Sequence, residues 1–119
     1  GKILMDRNEF QRVLINLILN SKQATPNGGT IDLRAMRWRA NQDTRTHSVA
    51  IEIRDHGCGM SDDTKRRLFE PFFTTRPDGT GLGMPIVQRI VQRAGGDIEV
   101  ESQEGVGTTL RIILPLVAH

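Results

Sequence analysis

Cysteine occurs once in this chain, as Cys58, and no apolar run reaches the roughly 18 residues that a membrane span needs. A single cysteine excludes an internal disulfide framework and fits a reducing compartment. No signal peptide precedes the first strand-like residues. We therefore expect a cytoplasmic location with no membrane insertion of this fragment, any anchor lying elsewhere in a full-length protein. The three histidines and the cysteine are far apart in sequence and give no zinc-like spacing.

Excess charge is also lacking, since the net charge is only +2, too small to indicate a nucleic-acid partner. The most basic stretch, Arg34, Arg37 and Arg39, alternates with apolar residues, which favours a solvated strand face over a nucleic-acid patch. With 119 residues, 37% of them hydrophobic and 25% charged, the chain is predicted to form a single domain over residues 1–119.

Hydrophobic periodicity predicts an alternating set of helices and strands. The expected elements are a strand at 2–5, a helix from the N-cap Asp6 to about 24, a strand from about 30, a loop at 41–47, a strand at 49–55, a short helix at 61–69, a helix from the glycines near 83 to 95–96, and strands near 98–100 and 108–114. This order predicts a two-layer α/β sandwich, with helices on one face of a mixed sheet and a lid at roughly 60–80.

Asn16 and Asn20 lie four residues apart in the first long helical pattern, so they share one helix face. Their amides can offer an oxygen to a hard cation and N–H donors to phosphate. The alternative is a pair of exposed asparagines. Because asparagine is a poor helix former, two of them within a strong helix point towards function.

Asp55 ends a predicted strand and is followed by Gly57 and Gly59. A carboxylate only accepts hydrogen bonds, so at the bottom of a pocket it would bind the exocyclic amine of adenine and repel the carbonyl of guanine. The glycines would let the backbone approach a flat ring. An exposed aspartate before a glycine-rich turn is the alternative interpretation of this segment alone.

Two further segments combine glycine or phenylalanine with irregular sequence. Gly79-Thr80-Gly81-Leu82-Gly83 precedes a helix, which is typical of an anion site, although a flexible loop is the alternative. It lacks the Gly-Lys-Ser/Thr of a Walker A loop and the glycine spacing of dinucleotide folds. Phe69-Glu70-Pro71-Phe72-Phe73 holds three of the four phenylalanines, which form either a satellite core or a docking surface for another domain.

In this order and at this spacing, the four segments resemble the N, G1, F and G2 boxes of bacterial sensor histidine kinases. The resemblance is to their catalytic and ATP-binding domain, of the nitrogen-regulatory-like type. It covers residues 6–115, and it implies the Bergerat fold shared with gyrase, mismatch-repair and heat-shock chaperone ATPases.

The resemblance implies a site for ATP and Mg²⁺. Asn20 would hold the Mg²⁺ and Asn16 would face the phosphates. Asp55 would bind the adenine amine, with Gly57 and Gly59 beside the ring. The other implied positions are Gly79, Thr80, Gly81, Leu82 and Gly83, which close over the phosphates, Thr108, which supports adenine recognition, and Arg76, a basic lid residue that approaches the γ-phosphate.

Two positions depart from the family pattern. Many members carry lysine three residues after the Mg²⁺-binding asparagine, where this chain has Gln23, with Lys22 one residue earlier; which of the two contacts phosphate stays open. Hydrolytic members carry glutamate four residues before that asparagine, where this chain has Asn16. An amide cannot accept a proton at neutral pH, which favours a kinase over a fast hydrolase.

An acceptor histidine is also missing, because none of His47, His56 and His119 is followed by the expected Glu and Pro. The resemblance therefore implies a donor half that phosphorylates a histidine on a separate dimerisation domain, with a response regulator downstream. One alternative is an anti-sigma-type serine kinase, against which the phenylalanine-rich segment and long lid argue. The other is a non-catalytic nucleotide-binding regulatory domain, against which the intact boxes argue, although Gln23 leaves room for it.

Overall fold

Apart from the first predicted strand, the order of helices and strands follows the periodicity of the sequence. The computed structural model describes residues 3, 5–25, 28–38, 47–73 and 82–116. Its elements are α1 (Arg7–Ala24), β1 (Ile31–Trp38), β2 (Ser48–Asp55), α2 (Asp62–Arg67), α3 (Gly83–Arg93), β3 (Asp97–Gln103) and β4 (Gly107–Pro115). The strand predicted at 2–5 is wrong where it can be checked, since Ile3 and Met5 lie outside any strand. Most of the predicted loop, 41–46, and the last third of the predicted lid, 74–80, fall outside the described residues.

The described strands form one sheet in the order β1-β2-β4-β3, and each neighbouring pair is antiparallel. The two-layer α/β arrangement is confirmed, but the prediction of a mixed sheet is wrong for these strands. The connection through α2 and α3 does make β2 and β3 parallel in direction. They are not neighbours, however, because β4 lies between them and pairs with both.

The core lies between α1, α3 and one face of the sheet. On that face Ile53 and Leu110 are cross-strand partners, as are Ile51 and Ile112. These rows pack against the buried residues of the two helices, which are Val13 and Leu17 of α1 and Met84, Val87, Ile90 and Val91 of α3. Ile18, the residue after the buried Leu17, is 41% exposed.

Helix starts follow the predicted capping chemistry. The Asp6 carboxylate accepts a hydrogen bond from the Asn8 N–H at the start of α1, and the Ser61 hydroxyl accepts one from the Thr64 N–H at the start of α2. The Glu9 carboxylate in the first turn of α1 lies 3.9 Å from Arg93 of α3. No helix within the described ranges is both long and apolar enough to cross a membrane.

The other face of the sheet carries a charged cross-strand cluster. Arg111 of β4 pairs with Glu52 of β2 and Glu99 of β3, each at 2.7 Å, and stacks over the Trp38 ring at 4.7 Å. The hydrogen bonds to Glu99 and Glu52 raise the pKa of Arg111 above its usual value. The cluster links β3, β4, β2 and β1 on the face opposite the helices.

Candidate functional site

A row of polar side chains crosses the sheet at one end of the core. Asp55 of β2 is the cross-strand partner of Thr108 of β4, which is in turn the partner of Ser102 of β3. All three side chains lie on the helix-facing side of the sheet, the side on which Ile53 of β2 and Leu110 of β4 also lie. Asp55 and Thr108 are buried. The apolar core therefore ends in a polar edge beneath the helix layer.

Ser102 is the centre of a hydrogen-bond network in this row, and the sequence analysis missed it. Its hydroxyl accepts the Met60 N–H at 2.8 Å, donates to the Gly107 carbonyl at 3.1 Å, and lies 2.8 Å from the Thr108 hydroxyl. It thereby fixes Thr108 and the start of the segment after Gly59. One signal in the sequence could have indicated it. Ser102 continues the every-second-residue spacing of Ile98 and Val100 along β3, so it lies on the same face of the sheet as these two residues.

Asp55 is only 2% exposed, and its two carboxylate oxygens differ. Oδ1 accepts the Gly57 N–H at 3.0 Å, which forms a tight turn directly after β2. Oδ2 is buried without a hydrogen-bond partner in the described part of the chain. A buried acceptor without a partner is costly, so this oxygen is suited to receive a donor from a ligand.

A cavity of about 680 Å³ opens beside this row, between α1, the start of α3 and the segment after β2. The predicted site residues that line it are Asn16, Asn20, Gln23, Gly59, Leu82, Gly83 and Thr108. Residues far apart in sequence are thus brought together around one space. Further lining residues that the sequence analysis did not name as site residues include Cys58, Met60, Ser61, Thr64 and Glu104.

Asn16 and Asn20 do share the cavity-facing side of α1, as their spacing predicts. The Asn16 amide nitrogen donates to the Arg12 carbonyl at 2.9 Å. Its Oδ1 lies against the start of α3, because a Cβ on Gly83 would be only 3.0 Å from it. Glycine at this position therefore lets Asn16 pack directly on the N-terminus of α3.

The N-terminus of α3 faces the cavity, since Gly83, Met84 and Pro85 all line it. The first N–H groups of a helix have no partner within the helix, and together with the helix dipole they favour an anion.

Gly59 allows a close approach that no other residue type would permit. Its φ is +67°, and a Cβ there would meet the Gln103 carbonyl oxygen of β3 at 2.0 Å. Gly57, in contrast, does not line the cavity. A Cβ on Gly57 would meet the Ala24 carbonyl oxygen at 2.2 Å, so this glycine lets the turn after β2 pack against the end of α1.

Several predicted positions do not reach the cavity or cannot be placed. Lys22 is exposed and does not line it, whereas Gln23 does. Asp55 does not line the main cavity but lies beside Thr108, which does; both also border a second depression of about 280 Å³. Arg76, Gly79, Thr80 and Gly81 lie outside the described residues, so their proposed roles stay predictions.

The phenylalanine-rich segment divides into two parts. Phe72 has a left-handed backbone, with φ of 67°, and is 74% exposed. Phe73 lines the cavity, with the Arg67 guanidinium 4.3 Å from its ring centroid. Phe69 is partly buried against the core. Phe69 therefore fits the satellite-core interpretation, and the exposed Phe72 leaves the docking surface a prediction.

Comparison with known proteins identifies the architecture. The histidine kinase-, DNA gyrase B- and HSP90-like ATPase family matches residues 5–118. The chain belongs to this family. Two curated relatives of the ATPase domain are the signal transduction histidine-protein kinase AtoS of Escherichia coli (strain K12), 39% identical over 93% of this chain, and the sensor histidine kinase ZraS of Salmonella typhimurium, 39% identical over 99%. The chain spans only 17% and 24% of their respective lengths.

Solved structures give the same result for the ATPase domain. The mycobacterial sensor histidine kinase MprB superposes with a TM-score of 0.77 at 27% identity, covering 95% of this chain and 74% of that one. The catalytic domain of the histidine kinase ThkA gives 0.70 at 30% identity, covering 93% and 68%. The ATPase domain described here is therefore of the histidine-kinase catalytic type.

Proposed function

We propose that this domain binds ATP with Mg²⁺ and donates the γ-phosphate to a histidine on a separate dimerisation domain of the same full-length kinase. A response regulator would act downstream, in the cytoplasm. One observation carries the proposal. A single cavity has the Asn16 and Asn20 face of α1 and the N-terminus of α3 on its wall, and the row of Asp55 and Thr108 at its edge.

The polar row is the proposed adenine end. Asp55 Oδ2, which has no partner in the part of the chain that the structure describes, is an acceptor and matches the exocyclic amine of adenine, whereas the carbonyl of guanine would repel it. Thr108 also lies at the cavity wall, and its hydroxyl is hydrogen-bonded to that of Ser102. Gly59 gives the base access to the backbone beside this row.

The α1 and α3 side is the proposed phosphate end. Among the described residues that line the cavity, Glu104 carries the sole formal charge, so a triphosphate needs positive charge from elsewhere. Mg²⁺ fits this requirement, because the Asn20 amide oxygen is a hard ligand and phosphate oxygens can complete the shell. When bound, the metal would neutralise phosphate charge. The proposed additional phosphate contacts are Gln23, Arg76, Thr80 and the glycines beside Thr80, which are Gly79, Gly81 and Gly83.

The geometry around Asn16 favours transfer over hydrolysis. Its amide nitrogen is engaged with the Arg12 carbonyl, and an amide cannot take a proton from water. Transfer requires that an acceptor nitrogen form a bond to the γ-phosphorus as the bond to the β–γ bridging oxygen breaks, with ADP leaving. In this arrangement the domain contributes positioning and charge neutralisation.

The acceptor histidine is proposed to come from another domain. His56 is exposed, and its Nε2 lies 3.7 Å from the Asp32 carboxylate, on the face of the sheet opposite the helices. His47 precedes β2, where its carbonyl accepts the Leu116 N–H. Neither histidine lines the cavity. Residues 1–119 are accordingly proposed to be one catalytic domain without its phosphoacceptor.

The direct test is transfer of radiolabelled γ-phosphate from ATP to a separately purified dimerisation domain that carries its own histidine. Labelling should require this chain, Mg²⁺ and the acceptor histidine. Asn20→Ala should abolish labelling and remove most of the Mg²⁺ dependence of ATP binding. Labelling on serine would support the anti-sigma-type alternative. ATP binding without any transfer would support a non-catalytic regulatory domain.

A further inference from the structure

The first helix, α1, is apolar on two opposite sides. Its inner side carries the buried Val13 and Leu17, which pack in the core. On its outer side Ile15, Ile18 and Leu19 are 56%, 41% and 47% exposed. Because they are three and four residues apart, they form one stripe on the helix surface, which we call the outer stripe. A helix that is apolar on opposite sides is normally covered on both, so the outer stripe calls for a partner.

The second long helix, α3, has the pattern expected of a helix at a protein surface. Its buried residues are all apolar, whereas Arg89, Gln92 and Arg93 are exposed. No exposed large hydrophobic residue lies within the bounds of α3, whereas the outer stripe places three of them on α1. The exposed apolar surface is therefore a property of α1 and not of the helix layer in general.

The outer stripe is flanked by positive charge. Arg12 comes three residues before Ile15 and Lys22 seven residues after it, so both lie beside the stripe, and both are exposed. In the part of the chain that the structure describes, neither side chain forms an ion pair. The one acidic residue within α1, Glu9, lies near Arg93 of α3 instead. The surface thus combines apolar contact area with two cations that a partner could neutralise.

We propose that the outer stripe docks an acidic amphipathic helix of a protein partner, with carboxylates that pair with Arg12 and Lys22. Charge complementarity favours this occupant over a second copy of the chain, whose own cations would face these two if it docked through the same stripe. A membrane surface fits less well, because the stripe holds no aromatic residue and the opposite side of α1 is fixed in the core. The inference goes beyond the proposed function, since neither Ile15 nor Ile18 lines the cavity.

The test uses two synthetic helical peptides that carry the same leucine stripe, flanked by glutamates in one and by lysines in the other. Fluorescence anisotropy measures the binding of each peptide to the 119-residue chain. The glutamate peptide should bind at least about tenfold more tightly than the lysine peptide, and added salt should weaken it. Ile15→Gln, Ile18→Gln and Arg12→Glu should each weaken its binding about three- to tenfold.

Two further variants are the matched controls. Leu33 of β1 is 54% exposed, close to the exposure of Ile15, and Arg89 is an exposed cation on α3. Leu33→Gln and Arg89→Glu should leave binding of the glutamate peptide unchanged. Urea unfolding of every variant should match that of the parent chain, because all these side chains are exposed. A loss of peptide binding can then be assigned to the surface itself.

Several results would overturn the proposal. These are no binding of the glutamate peptide at about 1 mM, equal binding of the two peptides, or losses in the controls as large as those in the stripe variants. Sedimentation of the chain alone tests self-association, and a dimer that Ile15→Gln dissociates would assign the stripe to a second copy. Binding to vesicles of phosphatidylserine and phosphatidylcholine that Ile15→Gln abolishes, without binding of the peptide, would assign it to a membrane surface.

Discussion

At the scale of single residues, Asp55 shows how burial turns a common sequence pattern into a selective group. An aspartate before a glycine-rich turn is common in sequence, but here one carboxylate oxygen accepts the Gly57 N–H and the other has no partner among the described residues. The satisfied oxygen fixes the rotamer. The unsatisfied one is therefore held ready for a donor, which is the condition for discriminating between bases.

Asp55→Asn tests this assignment, because it replaces half of the carboxylate with an amide donor. We expect ATP affinity to fall roughly tenfold or more, since a hydrogen bond to a charged group contributes about 1.5–3 kcal/mol. The preference for ATP over GTP should shrink as well. Titration of both nucleotides measures this, and equal affinities of the parent protein for ATP and GTP would contradict the role of Asp55.

The limits of sequence reasoning are also visible at this scale. Asn16 and Asn20 could be placed together because helical spacing is local. The partnership of Asp55, Thr108 and Ser102 could not, because cross-strand register depends on the order of strands in the sheet.

At the scale of elements, the periodicity predicts the helices and strands well because each has one buried face. The prediction of a mixed sheet was wrong because a helical connection between two strands indicates that they run parallel and pair. In the structure β4 lies between β2 and β3, and the sequence near these strands does not indicate where a later strand inserts. The turn between β3 and β4 then lies against the segment after β2, where the Gly105 N–H donates to the Cys58 carbonyl at 2.8 Å.

Gly59 and Gly105 form a matched pair for testing how closely the segment after β2 packs against the end of β3. Both have left-handed backbones, with φ of +67° and +78°, but a Cβ meets backbone at Gly59 and open space at Gly105. Gly105→Ala should cost roughly 1–2 kcal/mol from backbone strain alone. Gly59→Ala should cost at least about 2 kcal/mol more, since β3 must move. Urea unfolding measures both, and equal losses would show that the close approach is relieved without cost.

The turn after α2 offers a second matched pair, in Phe72 and Phe73. Phe72 is exposed, whereas Phe73 lines the cavity. We expect Phe72→Ala to lower phosphotransfer to a dimerisation domain with little change in ATP affinity, and Phe73→Ala to weaken ATP binding several-fold. Titration and transfer assays on both variants check this. A loss of ATP affinity in Phe72→Ala, with none in Phe73→Ala, would reverse the assignment of docking surface and cavity wall.

At the scale of the whole molecule, the proposed nucleotide site draws on both layers of the fold. The helix layer supplies the asparagines and the N-terminus of α3, and the sheet supplies the polar row. In the part of the chain that the structure describes, the cavity wall has one carboxylate, Glu104, in the turn between β3 and β4. That turn packs against Gly59, whereas Asn16 lies against Gly83 at the start of α3.

This arrangement predicts that the 119-residue chain binds ATP but hydrolyses it very slowly, because water at the Asn16 end finds no group there to accept its proton. Phosphate release by the chain alone should stay near the uncatalysed rate and should be unchanged in Glu104→Gln. Adding a dimerisation domain with its own histidine should then consume ATP in proportion to the histidine phosphorylated. Rapid hydrolysis that is lost in Glu104→Gln would identify Glu104 as a base for water. Rapid hydrolysis that persists in this variant would place the base outside the described lining, and either result would replace transfer by hydrolysis as the reaction of this domain.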